Sequence, residues 1–459
     1  MLTAENFQHE FFKNLQQEKH VSNRSDYQYL LAYSGGCDSH VLLHLLSVLK
    51  QLDFIQNLTA IYIDHQLQDD STQWAEHCLQ QCELLQISCD VIKVKVDTQS
   101  NLGLEAAART ARYKAIAERV TDKTIVLTAQ HADDQVETFL LQSLRGSGVK
   151  GLSAMPVTKD FSNGLLYRPL LGTTRLDILD YANEHKLNWV EDASNENTHF
   201  DRNYLRHEVI PILKNRWPTC HKTISRVTQH QSEAALLIGE LAQIDLQTLQ
   251  PEKNTLAIDK LKLLSFERKK NVLRYWLHQT LKLTMPDNVH LMRIINEIIT
   301  AEEDTQPQVN WGEVIVRRFN GMLYADNFIP DEMEQNKKTF KWSPDKNYSI
   351  RVAVNGCEAT SKLSTQLTVG QGLSKKKLSN KTVTIRFRQG GEVCSPQGRG
   401  NHRHKLKKLF QEWKVPPWQR NNIPLVYADN ELAQVVGYCL CAPFVADKLE
   451  EGYVISCCV

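Results

Sequence analysis

The sequence has no long uncharged apolar run, and this lack excludes an ordinary membrane-spanning helix. Its amino terminus, MLTAENFQHEFFKN, carries acidic side chains and lacks the apolar core that a signal peptide needs. With 459 residues, 42% of them hydrophobic, the chain is long enough for two or three domains with cores of their own. We therefore expect a soluble, cytoplasmic protein with no membrane partner.

Cysteine spacings typical of metal and redox centres are also missing. The eleven cysteines are odd in number, and no two of them form a Cys-x-x-Cys motif. Cys78 and Cys82 lie four residues apart with Cys89 beyond them, and His40 and His44 show the same spacing without an evident third ligand. The pattern favours packing cysteines and solvated histidines in a reducing compartment.

A Walker A motif, G-x-x-x-x-G-K-[S/T], occurs nowhere in the chain. Instead, the stretch LLAYSGGCDSHVLLHLL places two glycines between an apolar run and a helical apolar pattern. Glycines before a helix amino terminus leave backbone N–H groups open to a phosphate. We predict that this turn binds phosphate, and the alternative is a simple turn with a capping serine; its residues are Ser34, Gly35, Gly36, Cys37, Asp38 and Ser39.

A net charge of only +1 conceals an uneven distribution of charge. Residues 371–420 contain thirteen Lys or Arg and two acidic residues, a net charge of +11, which leaves −10 for the rest of the chain. A basic segment on an otherwise acidic protein predicts a polyanionic partner.

Apolar strands and amphipathic helices alternate through the first half of the chain. This rhythm predicts an α/β fold with a doubly wound parallel sheet, whose ligands bind at the carboxyl ends of the strands. The predicted strands are residues 29–33, 59–65, 90–96 and 124–129, and the predicted helices are residues 71–85, 104–120, 133–144 and 174–186.

A second polar motif, TAQHADDQVET, begins at the carboxyl end of a predicted strand. Asp134 and Glu137 are three residues apart and share one helical face. Beside a phosphate-binding turn, two acids with Asp38 make a credible Mg²⁺ site, because Asp38 would otherwise repel a phosphate. The alternative is a solvated first helical turn in which the helix dipole favours acidic residues.

The two motifs, in this order, resemble those of the PP-loop ATP pyrophosphatases. Five further stretches in one order look like the tRNA(Ile)-lysidine synthetase family, and the likeness continues through VNWGEVIVRRFNGMLY and residues 385–437. The five are YIDHQLQDDS, LEAAARTARYKAI, LRGSGVKGLSAMP, YRPLL and EDASNENTHFDRNYLR.

The resemblance implies a ligase that uses ATP and Mg²⁺. The 2-oxo group of the wobble cytidine in a tRNA(Ile) with a CAU anticodon attacks the α-phosphate and releases pyrophosphate. The ε-amine of free L-lysine then displaces AMP, and the product, lysidine, changes the tRNA from methionine to isoleucine identity. At a pKa near ~10.4 the lysine amine is mostly protonated, so a carboxylate or desolvation must help remove a proton.

The resemblance also implies a domain plan. It comprises a catalytic PP-loop domain (1–217), a mainly helical tRNA-binding domain (218–330), a linker (331–350) and a small, basic α+β tRNA-binding domain (351–459). A homodimer is left open.

The implied site residues follow from the matching motifs. Asp38, Asp134, Glu137 and His131 are the expected catalytic residues, with the three acids as Mg²⁺ ligands and residues 34–39 binding ATP. The family usually has a histidine where this chain has Gln130, which cannot transfer a proton. Expected substrate and tRNA contacts, each with a solvated or salt-bridged surface role as the alternative, are Arg109, Arg112, Arg145, Arg202, Arg206, Arg386, Arg388, Lys405, Lys407, Lys408 and Arg420.

A basic helix near 403–413 is expected to pair Arg403 with Lys407 and His404 with Lys408 at a spacing of four residues. Trp413 and Trp418 suit either base stacking or the core of a small domain. Two other functions remain open: a tRNA-thiolating PP-loop enzyme, which the lack of a Cys-x-x-Cys motif disfavours, and a catalytically silent tRNA-binding protein.

Overall fold

The structure is a computed structural model, which describes residues 2–16, 26–66, 71–97, 103–191, 196–249, 254–302, 305–327, 339–343, 348–354, 357–399 and 402–458. The chain forms two compact units, Met1–Leu237 and Ile238–Val459. No helix among the described residues is long and apolar enough to cross a membrane.

The first unit alternates strands and helices as the sequence predicts. Its strands are β1 (Gln28–Ala32), β2 (Asn57–Asp64), β3 (Ser88–Lys93), β4 (Thr124–Leu127), β5 (Thr158–Phe161) and β6 (Gly164–Tyr167). Its helices are α1 (Ala4–Gln16), α2 (Cys37–Gln51), α3 (Ser71–Leu84), α4 (Leu104–Ala117), α5 (Ala132–Leu144), α6 (Val149–Leu152), α7 (Arg175–Glu184), α8 (Asp201–Tyr204), α9 (Ile210–Arg216) and α10 (Cys220–Leu249), which continues into the second unit.

These strands form one sheet in the order β3-β2-β1-β4-β6-β5. All neighbouring strands are parallel except β5, which pairs antiparallel with β6 at the edge. The predicted doubly wound fold class is confirmed. Strands β2 and β3 are added on one side of β1, and β4 is added on its other side, parallel to it. The turn after β1 and the motif after β4 therefore lie side by side at the carboxyl edge of the sheet.

Side chains of β1 alternate between two cores, one on each face of the sheet. Tyr29 and Leu31 pack with Phe11 of α1 and Leu42 of α2, whereas Leu30 joins the core on the opposite face. Because β1 is covered on both faces, its residues 29–32 form a continuous apolar run, as expected for a central strand of a parallel sheet.

The second unit contains short helices and most of the strands. After α10 its helices are α11 (Ile258–Leu263), α12 (Phe266–Tyr275), α13 (Asn288–Arg293), α14 (Lys375–Leu378) and α15 (Leu406–Glu412). Its strands are β7 (Thr255–Ala257), β8 (Gln308–Trp311), β9 (Val314–Phe319), β10 (Met322–Asn327), β11 (Phe340–Lys341), β12 (Tyr348–Val354), β13 (Cys357–Val369), β14 (Leu373–Ser374), β15 (Val383–Arg386), β16 (Val393–Cys394), β17 (His404–Lys405), β18 (Leu425–Ala428), β19 (Glu431–Val435), β20 (Cys439–Leu440) and β21 (Glu451–Cys458).

Antiparallel sheets organise this unit. Strands β7, β10, β9 and β8 form a sheet beside the helices of residues 258–299, and β11, β15, β18, β19 and β20 form another. Within the predicted linker, Phe340–Lys341 pairs with Thr384 and Ile385, and Trp342 is buried. Other residues of that linker, 331–338 and 344–347, lie outside the described residues.

Both tryptophans of the basic segment pack against other aromatic side chains. The Trp413 ring stacks on Tyr438 at 5.3 Å between centroids. Trp418 meets Phe319 and Tyr324 edge-on and lies 4.9 Å from the Arg317 guanidinium. The packing alternative predicted for these tryptophans therefore accounts for their positions.

The basic helix is shorter than predicted. It begins at Leu406, because His404 and Lys405 are extended and pair with Cys394 and Val393 as β17 and β16. Arg403 and His404 therefore lie outside the helix, and the expected helical pairs with Lys407 and Lys408 are wrong. The backbone groups of residues 404 and 405 are hydrogen-bonded to β16 in a hairpin. The spacing of side chains along one segment does not report such a pairing with another segment.

Candidate active site

The turn after β1 has the geometry of an anion-binding loop. Gly36 is extended and precedes the first residue of α2, Cys37. The N–H groups of a first helical turn have no partner within the helix, so those of residues 37–39 point out of the amino terminus. The Ser39 hydroxyl accepts from the Ser34 N–H at 3.2 Å and donates to the Gly36 carbonyl at 2.9 Å, which closes the loop.

The two glycines have different roles. Gly35 has a φ of +78°, and a Cβ added there would lie 2.8 Å from the buried Cys78 Sγ. Only glycine fits that position. A Cβ at Gly36 meets nothing closer than Ser34 Oγ at 3.8 Å, an ordinary contact. The protein itself therefore leaves room at Gly36, and the predicted phosphate contact there stays a prediction.

Helix α5 begins beside this loop with a capping arrangement centred on His131. The His131 N–H donates to Asp134 Oδ2 at 3.0 Å. That donor is the backbone N–H. The side-chain imidazole of His131 places Nε2 3.5 Å from Asp134 Oδ2 and 3.6 Å from Asp38 Oδ2. The two carboxylates that the sequence assigned to separate motifs therefore converge on one buried imidazole.

Two arginines occupy the other side of these acids. Arg202 donates through Nε to Glu137 Oε2 at 2.6 Å and through Nη2 to Asp134 Oδ1 at 3.0 Å. Arg206 donates through Nε to Glu137 Oε1 at 2.6 Å. Glu137 is only 1% exposed, so both of its oxygens are satisfied by guanidinium groups in a largely dry site.

Packing holds these arginines in place. They lie on α8 and on the π-helical turn Leu205–Val209 that follows it. Leu205 and Ile210 pack against Val136 of α5. The predicted one-face spacing of Arg202 and Arg206 is present, and the face is turned toward the acids of α5.

The sequence analysis missed two cationic residues in this cluster. Arg175, the first residue of α7, donates through Nη1 to Asp38 Oδ1, and its N–H donates to Asp133 Oδ2 at 2.8 Å. Lys214 pairs with Asp133 Oδ1. No local signal separates Arg175 from an ordinary residue after a helix cap, because the contact joins segments 137 residues apart.

Electrostatics link His131 and Asp38. Burial alone lowers the pKa of His131, but the facing carboxylates of Asp38, Asp134 and Asp133 outweigh burial and leave this pKa above its ordinary value. Burial raises the pKa of Asp38, yet His131 and Arg175 together bring it below its ordinary value. Asp38 therefore favours the protonated form of the His131 imidazole, and His131 in turn favours the ionised form of Asp38.

The residues fit a magnesium ion in part. Among the described residues, no group of three or more His, Cys, Asp or Glu side chains is arranged to hold a metal ion. Magnesium in nucleotide sites needs only one or two carboxylates, because phosphates and water supply the other ligands. Asp38 and Asp134 supply two adjacent carboxylates. Glu137 would have to release Arg202 and Arg206 to join them.

Three other arginines of the first unit that were expected at the site have other surroundings than the acids of α5. The exposed Arg112 lies 3.3 Å from His65 Nε2, and the exposed Arg109 lies 5.0 Å from the Tyr113 ring. Arg145 directly follows α5 as its carboxyl-terminal cap and is exposed. Their predicted substrate contacts stay predictions.

The basic residues of the second unit fall into two groups. Lys405, Lys407 and Lys408 are exposed. Arg386 lies 4.6 Å from the Tyr427 ring, and buried Arg420 donates to the Val415 carbonyl at 2.9 Å. The third arginine, Arg388, lies 3.8 Å from Glu392. The three lysines are thus the better placed for a partner's phosphates.

Known families match the chain in three segments. A PP-loop domain matches residues 5–213, a TilS substrate binding domain matches residues 256–324, and a TilS substrate C-terminal domain matches residues 383–457. The first of these segments contains the phosphate loop, the acids of α5 and Arg202 with Arg206.

Whole-length relatives agree with this assignment. A tRNA(Ile)-lysidine synthase of Coxiella burnetii is 42% identical over 432 residues, which cover 94% of this chain and 93% of that protein. A relative of the same name from Legionella pneumophila is 38% identical, with 93% and 94% covered. Another, from Pectobacterium atrosepticum, is 40% identical, with 89% of each chain covered.

Proposed function

Because the chain belongs to the tRNA(Ile)-lysidine synthase family, we infer that it is the ligase that joins free L-lysine to C2 of the wobble cytidine of tRNA(Ile) at the expense of ATP. The observation that carries this inference is the similarity of almost the whole chain to these synthases, together with an acid and arginine cluster beside a phosphate loop.

The first step needs charge stabilisation at the phosphates. We propose that ATP binds the turn of residues 34–39, where the outward amides of residues 37–39 hold its phosphates, and that Arg175, released in part from Asp38, faces the same charge. The cytidine 2-oxo group attacks the α-phosphate, and pyrophosphate leaves with the negative charge that these donors stabilise.

A magnesium ion is the natural counterpart of Asp38 in this site. We propose Asp38 and Asp134 as its protein ligands, since their carboxylates converge beside the His131 imidazole. Glu137 stays a predicted ligand. Bound magnesium would neutralise phosphate charge as a Lewis acid.

The second step needs a neutral lysine amine. Asp134 and Glu137 already bind two cationic N–H donors, Arg202 and Arg206. We propose that the lysine ammonium approaches the same carboxylates. Asp134 or Glu137 then removes a proton, and the neutral amine attacks C2 and displaces AMP. His131 keeps the carboxylates oriented, and Gln130, which accepts from the Thr128 hydroxyl at 2.5 Å, transfers no proton.

The tRNA requires a basic surface distinct from the nucleotide site. We propose that Lys405, Lys407 and Lys408 contact tRNA phosphates, since they are exposed at the start of α15. We also propose the CAU anticodon as the site of modification and the cytoplasm as the compartment, and a homodimer stays open.

The thiolation alternative fits the site poorly. Cys37 stands in the phosphate turn, but burial raises the pKa of its thiol to about 11, so it is protonated and a weak nucleophile at neutral pH. Among the described residues, those in contact with Asp38 are His131 and Arg175, and neither is a cysteine.

One experiment tests the proposed function directly. The full chain is incubated with ATP, Mg²⁺, radiolabelled lysine and unmodified tRNA(Ile), and the digested nucleosides are separated. We expect labelled lysidine and a pyrophosphate release that depends on the tRNA. A tRNA-binding protein without catalysis would release no pyrophosphate, and a thiolating enzyme would give no labelled lysidine.

A further inference from the structure

Three thiols with no assigned catalytic role meet in the second unit. Cys394 Sγ lies 2.8 Å from Cys441 Sγ and 3.7 Å from Cys439 Sγ. The three come from two chain segments, because Cys394 ends β16 whereas Cys439 and Cys441 lie at and just after β20. The cluster is therefore a product of the tertiary fold.

The thiols differ in access to solvent. Cys394 and Cys441 are buried, at 2% and 1% exposure. Cys439 is partly exposed on β20, which is the edge strand of its sheet. Of the three thiols, Cys439 is therefore the one that is open to a small dissolved oxidant.

The geometry points to an oxidation site, and we propose that hydrogen peroxide converts Cys439 and Cys394 into a disulfide. The Cys439 thiolate attacks one peroxide oxygen, so that an S–O bond forms, the O–O bond breaks and water leaves after protonation. The Cys394 thiol then attacks the sulfenic sulfur, the S–S bond forms and a second water leaves. The two sulfurs lose two electrons, which the peroxide gains.

Hydrogen bonding supports Cys439 as the attacking sulfur. Contacts from the Cys394 and Cys441 thiols lower the pKa of Cys439, and Arg399 acts in the same direction. The same contacts, with burial, raise the pKa of Cys394. A thiolate beside a protonated thiol is the arrangement of a peroxide-reactive cysteine and its resolving partner.

A metal explanation is less suitable. The described residues contain no group of three or more His, Cys, Asp or Glu side chains arranged around a metal position. Cys394 Sγ lies closer to Cys441 Sγ than to Cys439 Sγ, but Cys394 and Cys441 are both buried, and the partly exposed Cys439 is the thiol that a dissolved oxidant meets first.

The disulfide would bind the base of the basic helix to the sheet. Cys394 pairs with His404 in the β16–β17 hairpin, and the Leu406 N–H at the start of α15 donates to the Glu392 carbonyl at 2.9 Å. Joining Cys394 to β20 restrains this hairpin, so we expect slower amide hydrogen exchange at residues 404–406 in the oxidised protein.

The test treats the full chain with hydrogen peroxide, blocks free thiols under denaturing conditions and maps peptides by mass spectrometry. We expect two of the eleven thiols to be lost, a cross-link between the peptides that contain Cys394 and Cys439, and full reversal by dithiothreitol. The cross-link should persist in Cys441→Ser and in the control Cys220→Ser, whose cysteine lies outside the cluster.

Two variants identify the attacking sulfur. Cys394→Ser should trap a sulfenic acid at Cys439 that reacts with dimedone, and Cys439→Ser should give neither dimedone label nor cross-link. A cross-link that survives in Cys439→Ser, the absence of any cross-link in the wild type, or bound zinc that protects the thiols until a chelator is added would each overturn the proposal.

Discussion

His131 Nε2 lies 3.6 Å from Asp38 Oδ2, so a buried imidazole at the start of one helix faces a carboxylate at the start of another. Both helices follow parallel strands that are direct neighbours in the sheet. Their amino termini meet where ligands of such sheets bind, and this contact is the link between the phosphate loop and the acids of α5.

Replacing an acid of the cluster should stop catalysis without weakening tRNA binding. We expect Asp38→Ala and Glu137→Ala to abolish lysine transfer, because the proposed metal and amine contacts are lost. Exposed Glu83→Ala is the control. Near wild-type turnover of either acidic variant at saturating Mg²⁺ would disprove the assignment.

Glu137 also contributes to stability. Glu137→Gln leaves Arg202 and Arg206 without their carboxylate, and we expect a loss of about 1–3 kcal/mol in the free energy of unfolding. Urea unfolding should therefore accompany each activity assay.

The two loop glycines separate ligand binding from folding. Gly36→Val should fold normally and bind ATP more weakly, because its side chain would meet the ligand and not the protein. Gly35→Val should unfold more easily, because its positive φ and the Cys78 contact exclude a side chain. Calorimetric ATP binding and thermal melts measure both effects. Unchanged ATP affinity in folded Gly36→Val would show that the phosphates bind elsewhere.

Arg175 is the residue that sequence analysis missed and that the geometry favours most. We expect Arg175→Ala to lower tRNA-dependent pyrophosphate release by roughly ten-fold or more, because Asp38 and the phosphates lose a charged donor. The control is Arg119→Ala, which removes an exposed ion pair with Asp90 and should change little. Equal rates for both variants would remove Arg175 from the site.

Acid should destabilise the protein in part through His44. Burial and then His185 lower the pKa of His44 below its ordinary 6.5, and its Nδ1 lies 2.9 Å from the Tyr181 hydroxyl. The unfolded chain therefore binds a proton more readily, and stability present above pH 6.5 is lost as the pH falls below it.

His44→Gln should make the fall of stability with acid less steep. The exposed His230→Gln is the control and should leave the slope unchanged. Urea unfolding at a series of pH values gives both slopes. Parallel curves for His44→Gln and the wild type would show that His44 does not contribute.

The lysines at the start of α15 should determine how tRNA affinity depends on salt. Neutralising Lys405, Lys407 and Lys408 should lower affinity and flatten the plot of log affinity against log salt by roughly 0.7–0.9 for each lost phosphate contact. ATP binding should not change. A triple variant of the exposed Lys114, Lys123 and Lys159 removes equal charge as a control. If the basic-helix variant and the wild type give superimposable lines, the basic helix does not touch tRNA.

The sequence by itself determined the architecture of the first unit and the location of its site. Apolar runs such as residues 29–33 and 124–129 become parallel strands because local hydrophobic periodicity reports which faces are buried. Because ligands bind at the carboxyl ends of such strands, the sequence alone predicts that Asp38 and Asp134 lie close together.

Only the tertiary structure decided which groups neutralise these acids. Arg175 and Lys214 reach Asp38 and Asp133 across long stretches of chain, and nothing in their local sequence records the contact. The hairpin that shortens the basic helix has the same origin, as does the meeting of Cys394 with Cys439. Periodicity encodes the buried face of one segment, whereas the partner of a charged or thiol group depends on how distant segments pack.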